Sequence, residues 1–359
     1  MAGASVPQEH RPATAGETAT GRARLQALMA RGCTFLGTRY AIMGGAMTWV
    51  SDHALVAAIS EAGGFGVLAG GALSPEELRA EIRATRARTG HPFGVNIITL
   101  HPAFDELIEM VVAEGVSHVV LGGGLPKATA IRRLKDAGTR ILCFAPSLAV
   151  ARKLLRAGAD ALIIEGSEAG GHVGPVSTQV LAQEILPELA DAAPIFVAGG
   201  IGHGALIAAY LEMGAAGVQL GTRFVCARES RAHPRFKQAF IRAHARDAVT
   251  SIQLDPRLPV IPVRALRNTA SEAFLRLQRE MIEKLERGEI AVDEARLAVE
   301  HFWAGALRRA VIEGDVENGS LMAGQSVGMV RREQTAAEII AELAGQAADQ
   351  LARKGAEAV

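Results

Sequence analysis

Short apolar runs alternate with amphipathic stretches along most of the chain, and this repeat constrains the fold more than any other feature of the sequence. Each run spans three to five residues, which is too short for a helix and suits a buried strand. The stretches between the runs have the apolar spacing of helices. The eight runs lie at residues 41–43, 66–69, 93–97, 118–121, 141–144, 161–164, 195–198 and 217–220, and the helical stretches at 52–62, 75–89, 103–114, 127–137, 147–157, 178–191 and 203–213.

Strand followed by helix, repeated eight times, predicts an α/β fold of the (β/α)8 TIM-barrel type. A doubly wound open sheet is the alternative, because the small Ala-Gly joints between helix and strand, as at residues 156–159, suit both folds. Eight units without a break in composition favour the closed barrel. Within the units, Ser74 before Pro75 predicts a helix start, and Gly63 predicts a helix end.

The regular alternation stops after Arg223, and the C-terminal third has a different character. Helices are predicted there near residues 234–246, 270–287, 293–311 and 333–354. Prolines between residues 255 and 262 exclude a helix in that stretch. We therefore divide the chain into three regions, namely a flexible N-terminal tail at 1–24, a barrel at 25–230, and a helical lid or cap at 231–359 whose last helix returns to the barrel. A plain packing or dimerisation appendage is the alternative role of the last region, and the sequence leaves a homodimer open.

The charge balance excludes some classes of partner. Lys and Arg together number 38, as do Asp and Glu, and no basic stripe stands out. Aromatic residues make up only 4% of the chain, which argues against stacking platforms for single-stranded nucleic acid. We therefore expect no nucleic-acid partner and no membrane association, since no apolar run is long enough to cross a bilayer.

The three cysteines, Cys33, Cys143 and Cys226, lie far apart and form no C-x-x-C pair. Such a sparse, odd set predicts neither a disulfide framework nor a zinc site, and no metal site is expected. The N-terminus also lacks the apolar core of a signal peptide. The expected location is therefore the reducing cytoplasm.

A glycine-rich loop at residues 165–174 follows the sixth run and reads Glu-Gly-Ser-Glu-Ala-Gly-Gly-His-Val-Gly. Its single histidine, His172, is a titratable group at the carboxyl end of a strand, where this architecture places its chemistry. Glycine lets the backbone take positive φ and approach a flat ligand closely. The alternative is a structural turn with a hydrogen-bonded histidine. Glu165, at the strand end, is placed to contact a ligand, whereas Glu168 suits a solvated loop charge equally well.

Two further glycine-rich loops follow the seventh and eighth runs, at residues 198–204 and 221–223. In TIM barrels the loops after these two strands form the usual phosphate site, from backbone N–H groups and a helix N-terminus. Residues 200–205 also match the dinucleotide fingerprint G-x-G-x-x-A. That fingerprint requires an acid at the end of the next strand, and Leu-Gly-Thr at residues 220–222 provides none. The sequence therefore favours a monophosphate over a dinucleotide.

Two other strand ends contribute to the same rim. The first run leads into Gly-Gly-Ala-Met at residues 44–47, whose small residues let main-chain groups reach a flat ring system, and a tight turn is the alternative. The third run contains Asn96, an amide that can donate and accept hydrogen bonds toward a heterocycle. A core asparagine satisfied by a neighbouring loop is equally compatible with the sequence.

Together these motifs resemble the nitronate monooxygenase family, formerly the 2-nitropropane dioxygenases, which includes the FMN-dependent enoyl-acyl-carrier-protein reductases. The resemblance rests on residues 44–50, 62–66, 92–96, 165–172, 198–200 and 221–224. It spans about residues 35–335 and implies an FMN-bound TIM barrel in which His172 is the active-site histidine. The FMN-binding residues that it implies are Gly44, Gly45, Ala46, Met47 and Asn96 at the isoalloxazine, and Ala198, Gly199, Gly200, Gly221 and Thr222 at the phosphate. Glu165, Gly170 and Gly171 in the central loop are further candidates for contact with the cofactor.

The resemblance implies an FMN-dependent oxidoreductase that oxidises alkyl nitronates or nitroalkanes with oxygen. His172 would take the α-proton where the neutral nitroalkane is the substrate. The alternatives are an NAD(P)H-dependent enoyl-acyl-carrier-protein reductase and an NAD(P)H:quinone reductase, with NADH or NADPH as the electron donor. The expected partner is thus a small molecule, which is a nitronate, an enoyl thioester or a quinone.

Two segments bear on the choice between these activities. Residues 314–325 resemble the C-terminal segment of the enoyl reductases. Residues 43–47 depart from many family members, because no glutamine precedes the two glycines, and the contact with the flavin edge is expected to differ. A barrel that binds a flavin or a sugar phosphate without catalysis is a further alternative, against which His172 in its glycine frame argues.

Overall fold

The computed structural model describes residues 15–356, and the side chains of residues 19–354. Its centre is a closed barrel of eight parallel strands, which confirms the predicted TIM barrel, and every barrel strand overlaps a predicted apolar run. The barrel strands are β1 (Ile42–Gly44), β2 (Phe65–Ala69), β3 (Gly94–Ile98), β4 (His118–Gly122), β5 (Arg140–Phe144), β6 (Ala161–Glu165), β8 (Ile195–Ala198) and β9 (Gly217–Leu220), while β7 (Gly171–His172) lies outside the barrel.

The strand register places one row of residues at the upper, carboxyl end of the barrel. Glu165 of β6 pairs with Ala198 of β8, and Ala198 pairs with Gln219 of β9. Gln219 in turn pairs with Met43 of β1. Because the strands are parallel, the loops that follow these four residues leave from the same edge of the barrel. The central loop, the two predicted phosphate loops and the loop after β1 are therefore neighbours in space.

Helices connect the strands and cover the barrel. They are α1 (Ala15–Leu36) before the barrel, then α2 (His53–Glu61), α3 (Pro75–Arg86), α4 (Phe104–Ala113), α5 (Ala128–Asp136), α6 (Leu148–Ala157), α7 (Thr178–Leu189), α8 (Gly204–Glu212) and α9 (Thr222–Val225). The local signals act as expected at α3, where the Ser74 hydroxyl accepts from Glu77 N and the Glu77 carboxylate accepts from Ser74 N. At the end of α6, Gly158 takes the left-handed conformation with φ of 109°.

The C-terminal third combines helices with a small sheet that the sequence did not predict. Its elements are α10 (Pro234–Arg242), β10 (Ala248–Thr250), β11 (Val263–Leu266), α11 (Thr269–Glu286), α12 (Val292–His301), α13 (Ala306–Arg308) and α14 (Ala336–Ala356). β11 is the central strand of a three-stranded antiparallel sheet and pairs with both β10 and β7. The predicted helix at 293–311 is interrupted after α12, because Gly305 takes a positive φ of 68° that a right-handed helix cannot contain.

The N-terminal region differs from the prediction of a flexible tail at residues 1–24. Residues 15–24 belong to α1, while residues 1–14 of the predicted tail lie outside the described residues. α1 packs against α14, and a Cβ placed on Gly21 would lie 2.2 Å from the carbonyl oxygen of Ala348. This close backbone contact explains the error, because tertiary packing stabilises a segment whose composition alone suggests a loose chain.

Two hydrophobic cores organise the molecule. The main core fills the barrel and the layer between strands and helices, whereas α11 and α12 share a small core around Phe274 and Met281. α14 returns to the barrel, where the Gln346 side-chain oxygen accepts a hydrogen bond from the backbone of Gly204 in α8 at 2.8 Å. The domain boundary at residue 230 stays a prediction. Within residues 15–356, no helix combines the length and the apolar character that crossing a membrane requires.

Candidate active site

His172 is held at the barrel mouth by the small antiparallel sheet. It pairs with Val263 of β11, and Val173 N donates a hydrogen bond to the carbonyl of Pro262 at 3.1 Å. The imidazole is exposed and makes no hydrogen bond to any residue that the structure describes. The surrounding protein withdraws part of the ring from water, which lowers the pKa of His172 and favours the neutral imidazole at pH 7.

The loop that carries His172 is anchored by Glu168. Its carboxylate accepts hydrogen bonds from the backbone N–H and the hydroxyl of Thr178, at 2.8 and 2.9 Å. The same hydroxyl lies 3.3 Å from the carbonyl oxygens of Ala198 and Gly199. Glu168 is therefore not the solvated charge that the sequence left open, because it links the central loop to the loop after β8.

A C-terminal segment at residues 322–325 closes the site from the side of the cap. Gly324 N donates a hydrogen bond to the Thr222 hydroxyl at 2.9 Å, and Gln325 N donates to the Glu168 carbonyl at 2.9 Å. A Cβ on Gly170 would lie 2.6 Å from Gly324 N, so both positions require glycine for this close approach. The segment therefore contacts both the central loop and the loop after β9.

The loops after β8 and β9 present unused backbone donors. Gly199 and Gly200 take positive φ values of 96° and 71°, a conformation that favours glycine. Among the described residues, no hydrogen bond uses the N–H groups of Gly200, Gly221 or Thr222. Free backbone N–H groups in glycine-rich loops are the donor set that a phosphate prefers. The residues present therefore fit the phosphate of FMN.

The loop after β1 lies beside the loop after β9. Gly45 N donates to the Leu220 carbonyl at 2.9 Å, and a Cβ on Gly221 would lie 3.4 Å from the Met47 sulfur. The Ser51 hydroxyl fixes the turn, since it donates to the Gly45 carbonyl and accepts from Met47 N. Ala46 is partly buried within this turn.

Gly44 and its neighbour Gly45 face different parts of the structure. A Cβ on Gly44 would lie 2.5 Å from the Cδ1 atom of Ile59, so this glycine allows α2 to pack on the barrel. The Cβ direction of Gly45 instead points toward the side chain of Gln219, which is buried. Gln219 is a rim residue that sequence reasoning missed, although a lone polar residue inside the run Gly-Val-Gln-Leu was a signal for it.

Asn96 lies on β3 and is buried. Its amide nitrogen donates a hydrogen bond to the carbonyl of Val120 on β4 at 3.0 Å. The side chain is thus tied to the barrel wall, in agreement with the reading as a core asparagine. In the barrel it pairs in register with Ala69 of β2 and Val120 of β4, on the side opposite β8.

A cavity of about 290 Å³ lies between the upper ends of β4, β5 and β6. Its lining is Gly124, Leu125, Phe144, Ala145, Pro146, Val150, Glu165 and Gly174. All of these residues are apolar except Glu165, whose carboxyl is the one ionisable group in the lining. Burial raises the pKa of Glu165 to about 7. Gly174, two residues after His172, shows that the central loop forms one wall of this cavity.

The arrangement joins three chemical elements at one end of the barrel. Free backbone donors can hold an anion, an apolar cavity can hold a planar or aliphatic group, and two titratable side chains can exchange protons. The geometry brings together Gly45, Met47, Glu165, Gly170, Gly171, His172, Ala198, Gly199, Gly200, Gly221 and Thr222, while Gly44 points outward and Asn96 bonds within the barrel.

Comparisons with known proteins place this geometry in a family. The family model for nitronate monooxygenase matches residues 31–107 and 98–346. FabK from Thermotoga maritima has a similar structure, with a TM-score of 0.81 and 36% identity over 92% of this chain and 99% of that one. A nitroalkane oxidase from Streptomyces ansochromogenes has a TM-score of 0.73 and 30% identity over the same 92% and 99%.

A curated relative adds a third activity. It is the (3aS,4S,5R,7aS)-5-hydroxy-7a-methyl-1-oxo-octahydro-1H-indene-4-carboxyl-CoA dehydrogenase of Mycobacterium tuberculosis, which is 35% identical over 70% of this chain and 67% of that protein. The match thus spans about two thirds of the length of this relative. All three relatives are oxidoreductases. Since the family model covers most of the chain, the protein belongs to the nitronate monooxygenase family of flavin-dependent oxidoreductases.

Proposed function

We propose that the protein is an FMN-dependent oxidoreductase that reduces the carbon–carbon double bond of an enoyl thioester with electrons from NADH or NADPH. The observation that carries this proposal is the closure of the site by residues 322–325. These residues belong to the segment 314–325 that resembles the enoyl reductases, and they contact the loops of both His172 and Thr222.

In this proposal the loops after β8 and β9 hold the phosphate of FMN through the N–H groups of Gly200, Gly221 and Thr222. Gly45 and Met47 border the ring from β1, and Glu165 and Gly171 border it from β6. Bound FMN supplies the electron chemistry, because its ring accepts and returns a hydride equivalent. The protein's own residues orient the reactants, exclude water and exchange protons.

The cavity beside the central loop suits the acyl part of such a substrate. Leu125, Phe144 and Val150 provide an apolar wall, so an acyl chain would leave water on binding. The relatives point the same way, since FabK is the more similar of the two solved structures and the Mycobacterium tuberculosis enzyme is named for a CoA thioester.

A second candidate function is the oxidation of alkyl nitronates or nitroalkanes with oxygen. The observation in its favour is the free imidazole of His172, whose lowered pKa keeps it neutral and able to accept a proton at pH 7. The family model and the nitroalkane oxidase support it. Reduction of quinones by NAD(P)H is a variant of the first proposal in which only the final acceptor differs.

The test is an anaerobic stopped-flow experiment on the purified protein. The absorption spectrum first establishes whether FMN is bound, and NADH, NADPH and an alkyl nitronate are then mixed with it separately. We expect rapid bleaching of the flavin by a pyridine nucleotide, followed by reoxidation on addition of an enoyl thioester. Bleaching by the nitronate alone would favour the second candidate, and reoxidation by quinones alone would favour a quinone reductase.

We also place the enzyme in the cytoplasm. Cys33, Cys143 and Cys226 are all free thiols, and the last two are buried. Burial raises the pKa of both buried thiols to about 12, which makes them poor nucleophiles. A reducing compartment suits such a set.

A further inference from the structure

Glu165 is a carboxyl group without a partner in an apolar cavity. It makes no hydrogen bond or ion pair to any residue in the described part of the chain. Glu168, three residues later, shows the contrast, because its carboxylate accepts two hydrogen bonds from Thr178. Glu165 is partly exposed to this cavity, and an unpaired carboxyl that lines an apolar cavity is suited to a ligand or to proton exchange.

The charged groups on the elements next to Glu165 have other partners. Arg264 of β11 donates to the carbonyls of Ser167 and Ala248, and Glu168 is held by Thr178. At the opposite end of β6, Asp160 forms an ion pair with Lys135. Burial raises the pKa of the Cys143 thiol on the neighbouring strand β5 to about 12, and burial lowers the pKa of the His172 imidazole. Burial alone raises the pKa of Glu165, with no contribution from a neighbouring charge.

His172 and Glu165 both lie in the segment that follows β6 at the upper end of the barrel, and their pKa values shift in opposite directions. Glu165 lines the cavity, and His172 lies two residues before Gly174 of the cavity wall. The lowered pKa of His172 leaves it without an acidic proton at pH 7, whereas the raised pKa of Glu165 leaves its carboxyl about half protonated there. Pairs of groups whose environments push their pKa values in opposite directions usually divide the acid and base roles. The group able to act as an acid in this pocket is Glu165.

We propose that Glu165 is a second catalytic residue, the acid that protonates the substrate carbon, while His172 orients the substrate. This inference rests on the proposed enoyl reduction. Bound FMN, once reduced by NAD(P)H, would supply the hydride equivalent for the new C–H bond at the β-carbon as the π bond of the enoyl thioester breaks. The O–H bond of Glu165 breaks as its proton forms the C–H bond at the α-carbon, and the carboxylate is reprotonated from water.

The test compares wild-type holoenzyme with Glu165→Gln, and uses Glu184→Gln on the exposed face of α7 as the matched control. We expect Glu165→Gln to lower kcat for the enoyl thioester by about 100-fold, the usual contribution of a general acid. Anaerobic reduction of the flavin by NAD(P)H should be unchanged. Wild-type kcat should fall as pH rises through about 7, and the variant should lose this limb.

A spectroscopic titration gives a readout that does not depend on turnover. A charge that appears beside the flavin shifts its absorption bands, so the wild-type spectrum should change between pH 5.5 and 8.5 with a midpoint near 7. The Glu165→Gln spectrum should stay constant, while Glu184→Gln should behave as the wild type. Glu165→Asp should restore both the decline of kcat with pH and the spectral titration. If Glu165→Gln does not fold, Glu165→Asp is compared with the wild type by the same two measurements.

The failures are distinguishable. Wild-type turnover of the thioester together with unchanged kcat and an unchanged spectral titration in Glu165→Gln would overturn the acid role alone. Absence of thioester turnover in the wild type would overturn the proposed function and the acid role together.

Discussion

Two histidines at opposite ends of the barrel show how the molecule separates stability from chemistry. His118 begins β4 at the lower end and is only 3% exposed. Its Nε2 lies 2.9 Å from the carbonyl of Phe35 in α1, and its Nδ1 lies 2.9 Å from the Ser117 hydroxyl. His172, at the upper end, is exposed and has no hydrogen-bonding partner in the described residues.

The difference lies in the surroundings and not in the residue type. The rings of Phe35 and Phe65 pack against His118 in T-shaped contacts, with ring centroids 5.5 and 4.9 Å from that of the imidazole. The lower imidazole is therefore a packed core residue. Burial lowers its pKa to about 4. The upper imidazole is fixed only through its backbone and keeps its ring free. In a TIM barrel the lower face contributes stability and the upper face carries the chemistry.

The largest expected effect is the loss of turnover when the upper histidine, His172, is replaced. His172→Ala should reduce turnover by about 10²- to 10⁴-fold, because a positioned acid–base or orienting group is lost. The free energy of unfolding should change by less than about 0.5 kcal/mol, since the exposed ring has no hydrogen bond to lose. Steady-state kinetics and denaturant unfolding measure the two quantities, and the yellow colour should persist. Turnover within a factor of two of the wild type would exclude a catalytic role for His172.

The next largest expected effect is the loss of stability when the lower histidine, His118, is replaced. His118→Ala should destabilise the protein by about 2–4 kcal/mol, because it removes a buried ring and leaves the Phe35 carbonyl with fewer donors. Urea unfolding measures this loss, and kcat of the folded fraction should match the wild type. A stable variant with a large loss of kcat would contradict the separation of the two ends.

The pH dependence of stability sharpens the comparison. His118 titrates at about 6.5 in the unfolded chain and at about 4 in the folded protein, so the unfolded state binds the proton more tightly. The contribution of neutral His118 is complete above pH 6.5 and is lost as pH falls toward 4, by about 3 kcal/mol. Unfolding curves from pH 7 to 4 should show this loss in wild type and not in His118→Gln. Equal slopes for both proteins would mean that other groups control the acid limb.

The smallest effect concerns the contact that closes the upper end. Gly170→Ala brings a Cβ within 2.7 Å of the backbone at Ala323 and Gly324, which must move. We expect a cost of about 1–3 kcal/mol, seen as weaker FMN binding in a fluorescence titration. Gly90→Ala is the matched control, because nothing lies within 4 Å of its Cβ position. FMN affinity that is equal in the two variants would argue against a tight closure.

Much of the barrel was predictable because its signals are local. The apolar runs, the Ser74 cap and the left-handed Gly158 each depend on a few neighbouring residues. The strand order followed from the regular repeat, since parallel strands with helical connections pair in sequence. The loops after β6, β8 and β9 were predictable for the same reason, because each follows its strand directly.

The remaining features depend on partners that are distant in the sequence. β11 pairs with β10 and with β7, which lies about ninety positions earlier in the sequence. Strands as short as these have no periodicity to detect. The helix at residues 15–24 depends on α14 in the same way. Gly44 and Gly45 are the same residue type, so the sequence cannot distinguish their roles. The direction of the absent Cβ does, because that of Gly44 points toward Ile59 of α2 and that of Gly45 toward Gln219 at the rim. The sequence left a solvated Glu168 open as an alternative, because its partner Thr178 lies ten residues away.

The pairing of β7 with β11 also sets an order of events during synthesis. The strands of the barrel are complete once residue 220 has left the ribosome, yet the backbone of His172 gains its partner at Val263, and Thr222 receives its hydrogen bond from Gly324. A nascent chain can therefore close its barrel well before it possesses a finished site. A complete site then requires synthesis at least as far as Gly324.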